Sequence, residues 1–302
     1  MAILLAPAGS PEALNATLEA GADAVYVGLK GWSRGGARGE LDWDELAGAV
    51  RLAATRGAEI QVALNTIPKP RERAALLAEI PRVARMGVRT LIVNDIGILD
   101  TLRRRFPELA LTASIGCGAQ TAADVAFLAE IGAAAVVLPG TLDSDEAAAC
   151  VAVGGVTIEI MLHMVEEFVL LGKCSMPSYV HLRPTAMPGG LPEATRQTGS
   201  MKRGGVGACF RICQQPWVLE DGAGRRETQM FPSRQLARLP EVAGYVAAGV
   251  GVLKLQGRSL PPERLGPLVG RYRRALDAAQ AGEPAPEQPS LGLPPSWTVV
   301  GR

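Results

Sequence analysis

Eight short apolar runs, most of them followed by a longer amphipathic segment, recur along this 302-residue chain. Within the runs, apolar residues follow one another instead of alternating with polar ones, which is typical of strands covered on both faces of a parallel sheet. Most of the segments between them have helical periodicity, and several end in glycine, the residue favoured just past a helix C-terminus. The predicted strands span residues 3–7, 24–28, 60–65, 90–94, 111–114, 134–139, 156–163 and 250–257. Eight such units predict an α/β fold, a (β/α)8 TIM-type barrel.

The alternative fold is an open, doubly wound sheet, which alternating strands and helices also favour. A dinucleotide-binding sheet of that kind carries G-x-G-x-x-G directly after its first strand. The residues at that place in this chain read PAGSPE, which cannot serve as the fingerprint. The barrel is therefore preferred. The segments SPEA and DSDEA place a cap candidate and acidic residues at two predicted helix starts.

The regular pattern is interrupted once, at about 164–232, by an insertion with three cysteines and little helical periodicity. Loops this long inside a compact domain are usually functional. In a barrel the insertion leaves strand seven at the C-terminal face, where active sites lie. We predict one barrel domain over 1–282 that includes the insertion, followed by a Pro-rich C-terminal tail at 283–302 that is extended or partly disordered.

Composition narrows the class of protein. The chain has 31 basic and 30 acidic residues and a formal charge of +1, and its basic residues are scattered along the sequence, so nucleic acid is not indicated as a general partner. An RNA substrate is not excluded. No signal peptide and no membrane span is expected, because the N-terminus lacks a basic segment before an apolar run and no apolar stretch reaches 18 residues. A cytoplasmic protein is predicted.

The cysteines are the strongest chemical signal. In a reducing compartment, five cysteines favour metal, cluster or catalytic use over disulfides. Cys174, Cys209 and Cys213 lie in the insertion, and Cys117 lies just beyond strand five, so four thiols are predicted at one face of the barrel. Four thiolates can hold a [4Fe–4S] cluster or a structural zinc; unrelated buried cysteines are the alternative, which fits Cys150 in a predicted helix.

Polar residues follow several predicted strands, and each has the alternative role of satisfying loop backbone groups. An arginine after strand eight can bind a carboxylate or phosphate, and a histidine can move a proton near neutral pH. Glu159, within strand seven, faces either the barrel interior or the helices. The predicted catalytic residues are His163, Glu159 and Asp95, and the predicted substrate-binding residues are Asn65, Lys254, Arg258 and Arg34.

Several segments together resemble one protein family. They include LLAPAGSPEAL, GADAVYVG, LIVNDIGIL, EIMLHMVEEFVLLGKCSM, GACFRIC and AGVGVLKLQGR. They are similar, over about residues 3–277, to the collagenase-like peptidases, peptidase family U32. The most specific part is the strand-seven stretch followed by G-x-C and then C-x3-C.

The resemblance implies a barrel with an oxygen-sensitive [4Fe–4S] cluster. It implies oxygen-independent hydroxylation of an aromatic ring or a nucleobase, with a prephenate-like carboxylate as the hydroxyl source. A heterodimer with a paralogue is also implied, as in the ubiquinone-hydroxylation members UbiU and UbiV. The cysteine pattern is more similar to that of UbiV, because Glu167 and Ala237 replace two cysteines of the UbiU pattern. Trp32 stands at the fourth UbiV-like ligand position, so Cys117 is inferred as the fourth ligand, and Gln256 replaces a usual carboxylate.

Three functions remain open at this point. The favoured one is an enzyme or enzyme subunit in oxygen-independent hydroxylation or related biosynthetic modification. The second is a collagenase-like peptidase, although the sequence contains no H-E-x-x-H motif and no recognisable Ser/His/Asp apparatus. The third is a non-catalytic partner of a paralogous subunit, which the missing family ligands favour.

Overall fold

The computed structural model describes residues 1–33, 39–165, 217–221, 224–228 and 235–284. The strands are β1 (Ile3–Ala8), β2 (Ala24–Gly28), β3 (Glu59–Leu64), β4 (Thr90–Val93), β5 (Ala110–Ala113), β6 (Ala135–Leu138), β7 (Thr157–Val165), β8 (Trp217–Asp221), β9 (Gly224–Thr228), β10 (Gln235–Ala237) and β11 (Val252–Leu255). The helices are α1 (Pro11–Glu19), α2 (Trp43–Thr55), α3 (Pro70–Arg85), α4 (Ile96–Arg105), α5 (Ala122–Glu130), α6 (Ser144–Val151), α7 (Val242–Ala247) and α8 (Pro262–Ala281), with a short 3₁₀ helix at Ile115–Cys117.

Eight of these strands form a closed parallel barrel. Strands β1 to β7 pair in sequence order, and β11 pairs with both β7 and β1 to close the ring. The predicted (β/α)8 barrel is confirmed, and the open sheet is excluded because a doubly wound sheet leaves two edge strands. All eight predicted strands are present, with bounds that differ from the predictions by a few residues.

Local sequence sets where the helices begin. Ser10 accepts a hydrogen bond from the backbone N–H of Ala13 and caps α1. Asp143 accepts hydrogen bonds from two backbone N–H groups at the start of α6, and the Glu146 carboxylate accepts one from the Asp143 backbone N–H. Both predicted caps are confirmed, since a short side chain that accepts from free N–H groups stabilises a helix start.

The strands bury side chains on both faces. The larger core lies between the strands and the helices, and a smaller apolar cluster, which includes Leu5, Tyr26 and Ile92, lies inside the barrel. Successive residues of a strand point to opposite faces of the sheet, and both faces are buried here. These strands are therefore apolar at nearly every position. Polar side chains inside the barrel are therefore exceptions that need partners.

Strand β7 changes its pairing near its end. Lys254 pairs with Met161, but the next residue, Leu255, pairs with His163, so one residue of β7 is extra at this bulge. Bulges of this kind redirect side chains and occur next to functional sites. The end of β7 also pairs antiparallel with β10, whose Ala237 lies opposite His163.

The predicted insertion and tail lie largely outside the described residues. Within the insertion, β8 and β9 form an antiparallel hairpin, and residues 166–216 are not described. The domain boundaries at 282 and 283 stay predictions. Across the described ranges, no helix combines the length and apolar character needed to cross a membrane.

Candidate active site

A buried ion pair occupies the barrel interior. Lys254 Nζ of β11 lies 2.9 Å from Glu159 Oε2 of β7, with the two side chains 6% and 2% exposed. Thr112 of β5 donates its hydroxyl to the other carboxylate oxygen of Glu159 at 3.3 Å. Of the two orientations that the sequence allows for Glu159, the structure therefore has the one facing into the barrel. Charges this deeply buried persist only when they are paired and hydrogen-bonded.

The polar contacts continue from this pair towards the C-terminal end of the barrel. Lys254 Nζ lies 5.1 Å from the centre of the Tyr26 ring, and the Arg258 guanidinium carbon lies 5.9 Å from the same ring. Tyr26 donates its hydroxyl to the Leu255 carbonyl at 2.9 Å, and burial raises its pKa to about 12, which the Arg258 cation opposes. Thr112, Glu159, Lys254, Tyr26 and Arg258 are named here the polar chain. It joins four strands, β2, β5, β7 and β11.

Gly28 makes room for the outer end of the polar chain. Arg258 donates through Nη1 to the Ser33 hydroxyl. A Cβ atom on Gly28 would lie 2.2 Å from that nitrogen and 2.3 Å from the Ser33 oxygen. Any larger residue at the end of β2 would displace the guanidinium, so the absence of a side chain there fixes where Arg258 lies. Half-buried and fork-shaped, this side chain is suited to binding a carboxylate or phosphate.

His163 lies against α8. Its Nδ1 is 3.4 Å from the Tyr272 hydroxyl, and the two rings meet edge to face with centres 5.9 Å apart. The side chain is 2% exposed, and burial lowers its pKa to about 4, so the imidazole is neutral at neutral pH. The bulge in β7 places the ring in this contact. A role for His163 in proton transfer stays a prediction.

Two further predicted site residues follow strands. Asn65 comes directly after β3 and is half-buried. Asp95 follows β4, where it caps α4 by accepting from the Ile98 N–H at 2.8 Å. Asp95 also lines a groove of about 440 Å³ between α3 and α4, beside Arg73 and Arg104. The structure thus gives Asp95 a capping role, and its predicted catalytic role stays a prediction.

Two buried amides accompany the strands: Asn94, which the sequence places among the polar residues at strand ends, and Gln61, which was not singled out from the sequence. Asn94, 2% exposed, has no partner for Nδ2 among the described residues, and Gln61, 5% exposed, has none for Oε1. Asn94 fits because its neighbour is Gly116, where a Cβ would lie 1.7 Å from Asn94 Oδ1. Gln61 is paired in register with Tyr26. A polar residue at an inward position of an apolar strand is the signal that identifies such residues.

The residues predicted to hold a cluster are only partly described. Cys174, Cys209 and Cys213 lie outside the described residues, as does Arg34. Cys117 ends the 3₁₀ helix after β5, is half-buried, and donates its thiol to the Val93 carbonyl at 3.4 Å. Nowhere in the described ranges do three His, Cys, Asp or Glu side chains come together as a metal site. Of the two cysteines in the described ranges, Cys117 is the one that follows a strand at the expected end of the barrel, and the cluster stays a proposal.

Two other residues bear on the cluster prediction. Trp32, at the position of a UbiV-like ligand, is 2% exposed and packs in the outer core. Cys150 is buried in α6, and burial raises the pKa of its thiol. Both side chains have packing roles in the outer core, which agrees with the sequence interpretation of Cys150 as a small buried residue.

The buried ion pair generates a double-mutant prediction. Glu159→Met and Lys254→Met should each lower the free energy of unfolding by about 3–5 kcal/mol, because each leaves one buried charge unpaired. The double variant should lose much less than the sum of the two. Urea unfolding at pH 7 measures all three. Asp100→Ala, which breaks the exposed Arg104–Asp100 pair, is the control and should cost less than about 1 kcal/mol. Additive losses in the double variant would contradict the interpretation.

The buried histidine predicts a dependence of stability on pH. With a pKa lowered to about 4 in the folded protein against 6.5 in the unfolded chain, His163 binds a proton only in the unfolded state between these values. The contribution of neutral His163 to the free energy of unfolding is fully present above pH 6.5. It is lost as the pH falls towards 4, and the loss amounts to roughly 3 kcal/mol in all. His163→Phe keeps an aromatic ring against Tyr272 and should flatten the pH profile of the unfolding free energy between pH 6.5 and 4.

The second histidine of the chain, His181, supplies the control. His181→Gln should keep the wild-type profile. Proton NMR of the wild type gives an independent check, since the His163 ring signal should not shift between pH 8 and 5. A midpoint near 6.5 for that signal would show that burial does not hold the ring neutral.

The chain is similar to several known proteins. A family model described as peptidase family U32 matches residues 9–292. A solved structure described as the U32 peptidase Mk0906 aligns with 55% of this chain and 70% of its own, with 16% identity and a TM-score of 0.49.

Its curated relatives include two RNA-modification proteins and a collagenase. The 23S rRNA 5-hydroxycytidine C2501 synthase of Escherichia coli K12 is 29% identical over 91% of this chain and 39% of its own length. The tRNA hydroxylation protein P of the same bacterium is 26% identical over 93% of this chain and 69% of its own. A collagenase of Porphyromonas gingivalis is 23% identical over 91% and 65%. This chain thus spans well under half of the first relative, and the match to the family model shows that it belongs to peptidase family U32.

Proposed function

We propose that this chain is an enzyme, or a subunit of one, that hydroxylates a base of RNA without using molecular oxygen. The observation that carries the proposal is the similarity, over 91% and 93% of the chain, to proteins named for hydroxylating rRNA and tRNA. The chain spans 39% and 69% of the lengths of those relatives. A paralogous partner subunit stays part of the proposal because of the resemblance to paired members of the family.

The polar chain is the proposed substrate site. Arg258 would hold a carboxylate co-substrate such as prephenate through two parallel N–H donors, and Asn65 and Arg34 are proposed to contact the same ligands. Lys254 would contribute positive charge from below, with Glu159 fixing its position. The buried amides of Asn94 and Gln61 supply one donor and one acceptor without partners among the described residues, which suits recognition of a base edge. His163 and Asp95 remain proposed catalytic residues.

A [4Fe–4S] cluster is the proposed cofactor. Cys174, Cys209 and Cys213 would ligate three irons, with Cys117 as the proposed fourth ligand; a structural zinc is the alternative. Such a cluster supplies single-electron transfer. Cys117 would have to give up its hydrogen bond to the Val93 carbonyl, since a ligating cysteine binds as a thiolate with no proton to donate.

A peptidase is the second candidate function. It is favoured by the relative named a collagenase, which matches 91% of this chain. In the described part of the chain, His163 Nδ1 lies 3.4 Å from the Tyr272 hydroxyl. Hydrolysis of gelatin by the reduced, metal-free protein would establish this activity.

The hydroxylation proposal predicts a loss of modified bases. Deleting the gene should remove one hydroxylated nucleoside from the RNA of anaerobically grown cells, measured by mass spectrometry of digested rRNA and tRNA. The wild-type gene should restore it. The variants Cys174→Ala, Cys209→Ala and Cys213→Ala should each restore no more than about one tenth of the nucleoside that the wild-type gene restores. Anaerobically purified wild-type protein should hold about four irons per chain. Cys150→Ala is the matched control and should retain both iron and activity.

Two results would count against this proposal. An unchanged set of RNA nucleosides in the deletion strain would remove RNA as the substrate. A colourless anaerobic preparation with stoichiometric zinc would replace the cluster by a structural metal.

Arg258 generates a second prediction. Arg258→Lys keeps the charge but loses the planar fork, so the affinity for prephenate, measured by calorimetry, should fall about tenfold or more. The melting temperature should change by no more than a few degrees. Arg264→Lys, an exposed arginine at the start of α8, is the control and should alter neither quantity. A large fall in melting temperature with unchanged affinity would make Arg258 a structural residue.

A further inference from the structure

The outer surface of α3 and α4 carries a group of exposed arginines, named here the arginine face. It consists of Arg71, Arg73, Arg82 and Arg85 of α3 and of Arg103, Arg104 and Arg105 of α4. The two helices are neighbours in the barrel, because β3 and β4 are paired and Arg73 of α3 donates to the Thr101 hydroxyl of α4 at 2.7 Å.

Charge is concentrated in this part of the chain. Residues 69–105 contain nine basic and four acidic side chains, an excess of five positive charges in a protein whose formal charge is +1. The rest of the chain is therefore net negative. A near-neutral protein with one strongly positive surface presents a field that attracts polyanions.

The acidic residues of this segment are mostly used locally. Glu72 accepts from the Lys69 backbone N–H, and Asp95 caps α4. Among the described residues, Arg104 is the one member of the arginine face with a carboxylate at ion-pair distance, that of Asp100. The other guanidinium groups therefore keep their charge available to a ligand.

Helix stability explains only some of these arginines. Cations in the last turn of a helix interact favourably with the negative end of its dipole. This accounts for Arg82 and Arg85 of α3 and for the three arginines that end α4. Arg71 lies in the first turn of α3, where a cation is unfavourable. The positions 71, 75, 78, 82 and 85 are all exposed and fall on one side of the helix, with alanine at 75 and 78. The result is an unobstructed row with arginines at both ends, roughly 16 Å from Arg71 to Arg82.

Other contacts hold the side chains in place. The Arg82 guanidinium stacks 4.0 Å from the centre of the Trp43 ring, and Arg105 lies 5.6 Å from the Phe106 ring. A guanidinium that is already positioned loses less conformational entropy when it binds an anion. Arg71 also begins the helix that follows β3, so the row starts near the C-terminal end of the barrel, where Arg258 lies.

We propose that the arginine face binds the phosphodiester backbone of the RNA substrate and guides the strand to the barrel mouth. The inference rests on the proposed function for its choice of RNA among polyanions. Contacts to phosphate fix the position of a nucleic acid without reading its sequence, and each one releases counterions, so such binding weakens as salt rises.

The test measures binding of a fluorescent single-stranded RNA 20-mer to the full-length chain by anisotropy, at several salt concentrations. Arg71→Gln with Arg85→Gln removes two exposed arginines from α3, neither of which has an ion pair or hydrogen bond to a side chain in the described residues. The matched control, Arg264→Gln with Arg274→Gln, removes two exposed arginines from α8 and changes the net charge equally.

The variant of α3 should bind on the order of tenfold more weakly at 0.1 M salt, and the slope of log K against log salt should fall by about 1.4, because two phosphate contacts are lost. The control should stay within about twofold. The loss should be the same for RNAs of different base sequence, and the melting temperatures of both variants should stay within a few degrees of the wild type.

Equal losses in the two double variants would overturn the proposal, as would wild-type protein that fails to bind RNA or binds only anionic lipid vesicles. These failures are distinguishable from failure of the proposed function. If RNA hydroxylation depends on the gene but the α3 variant binds RNA normally, the proposed function stands and the arginine face is not the binding surface. If the face binds RNA but deletion changes no nucleoside, the function fails.

Discussion

The buried ion pair between Glu159 and Lys254 holds the polar interior of this barrel together. The two residues lie on adjacent strands, β7 and β11, and β11 closes the barrel by pairing with β1. Around the pair, Thr112 satisfies the second carboxylate oxygen and the Tyr26 ring faces the ammonium group. Burying two charges in an otherwise apolar barrel costs desolvation free energy. The ion pair and the hydrogen bond from Thr112 offset part of that cost.

Arg258 connects this interior to the surface. Its position depends on Gly28, which has no side chain to occupy the same space, and on the hydroxyl of Ser33. The half-buried guanidinium thus lies at the C-terminal end of the barrel, with the Lys254 charge beneath it. A guanidinium in this place suits the binding of a carboxylate or a phosphate, in keeping with a site at the mouth of a barrel.

The candidate site was predictable in part. An inward or outward direction for Glu159 could not be chosen from the sequence, because β7 is apolar on both sides and its alternation gives no preference. The bulge that brings His163 against Tyr272 depends on pairing between β7 and β11, residues far apart in the chain. Asp95 was predicted as a site residue, and its capping of α4 became evident only from the Ile98 contact. Scattered arginines became one face for a similar reason, since helix periodicity and the packing of α3 on α4 bring them together.

The sequence by itself determined the strand–helix order, the strand positions, the closed parallel barrel and the capping of α1 and α6. Continuous apolar runs, helical periodicity and cap residues are local signals, and each is written within a few neighbouring positions. The motifs quoted from the chain also identified peptidase family U32. Only the tertiary structure decided which polar groups meet: Lys254 with Glu159, Arg258 with Ser33, and His163 with Tyr272. Those contacts depend on strand register and on the closure of the ring, which join residues as many as 225 positions apart.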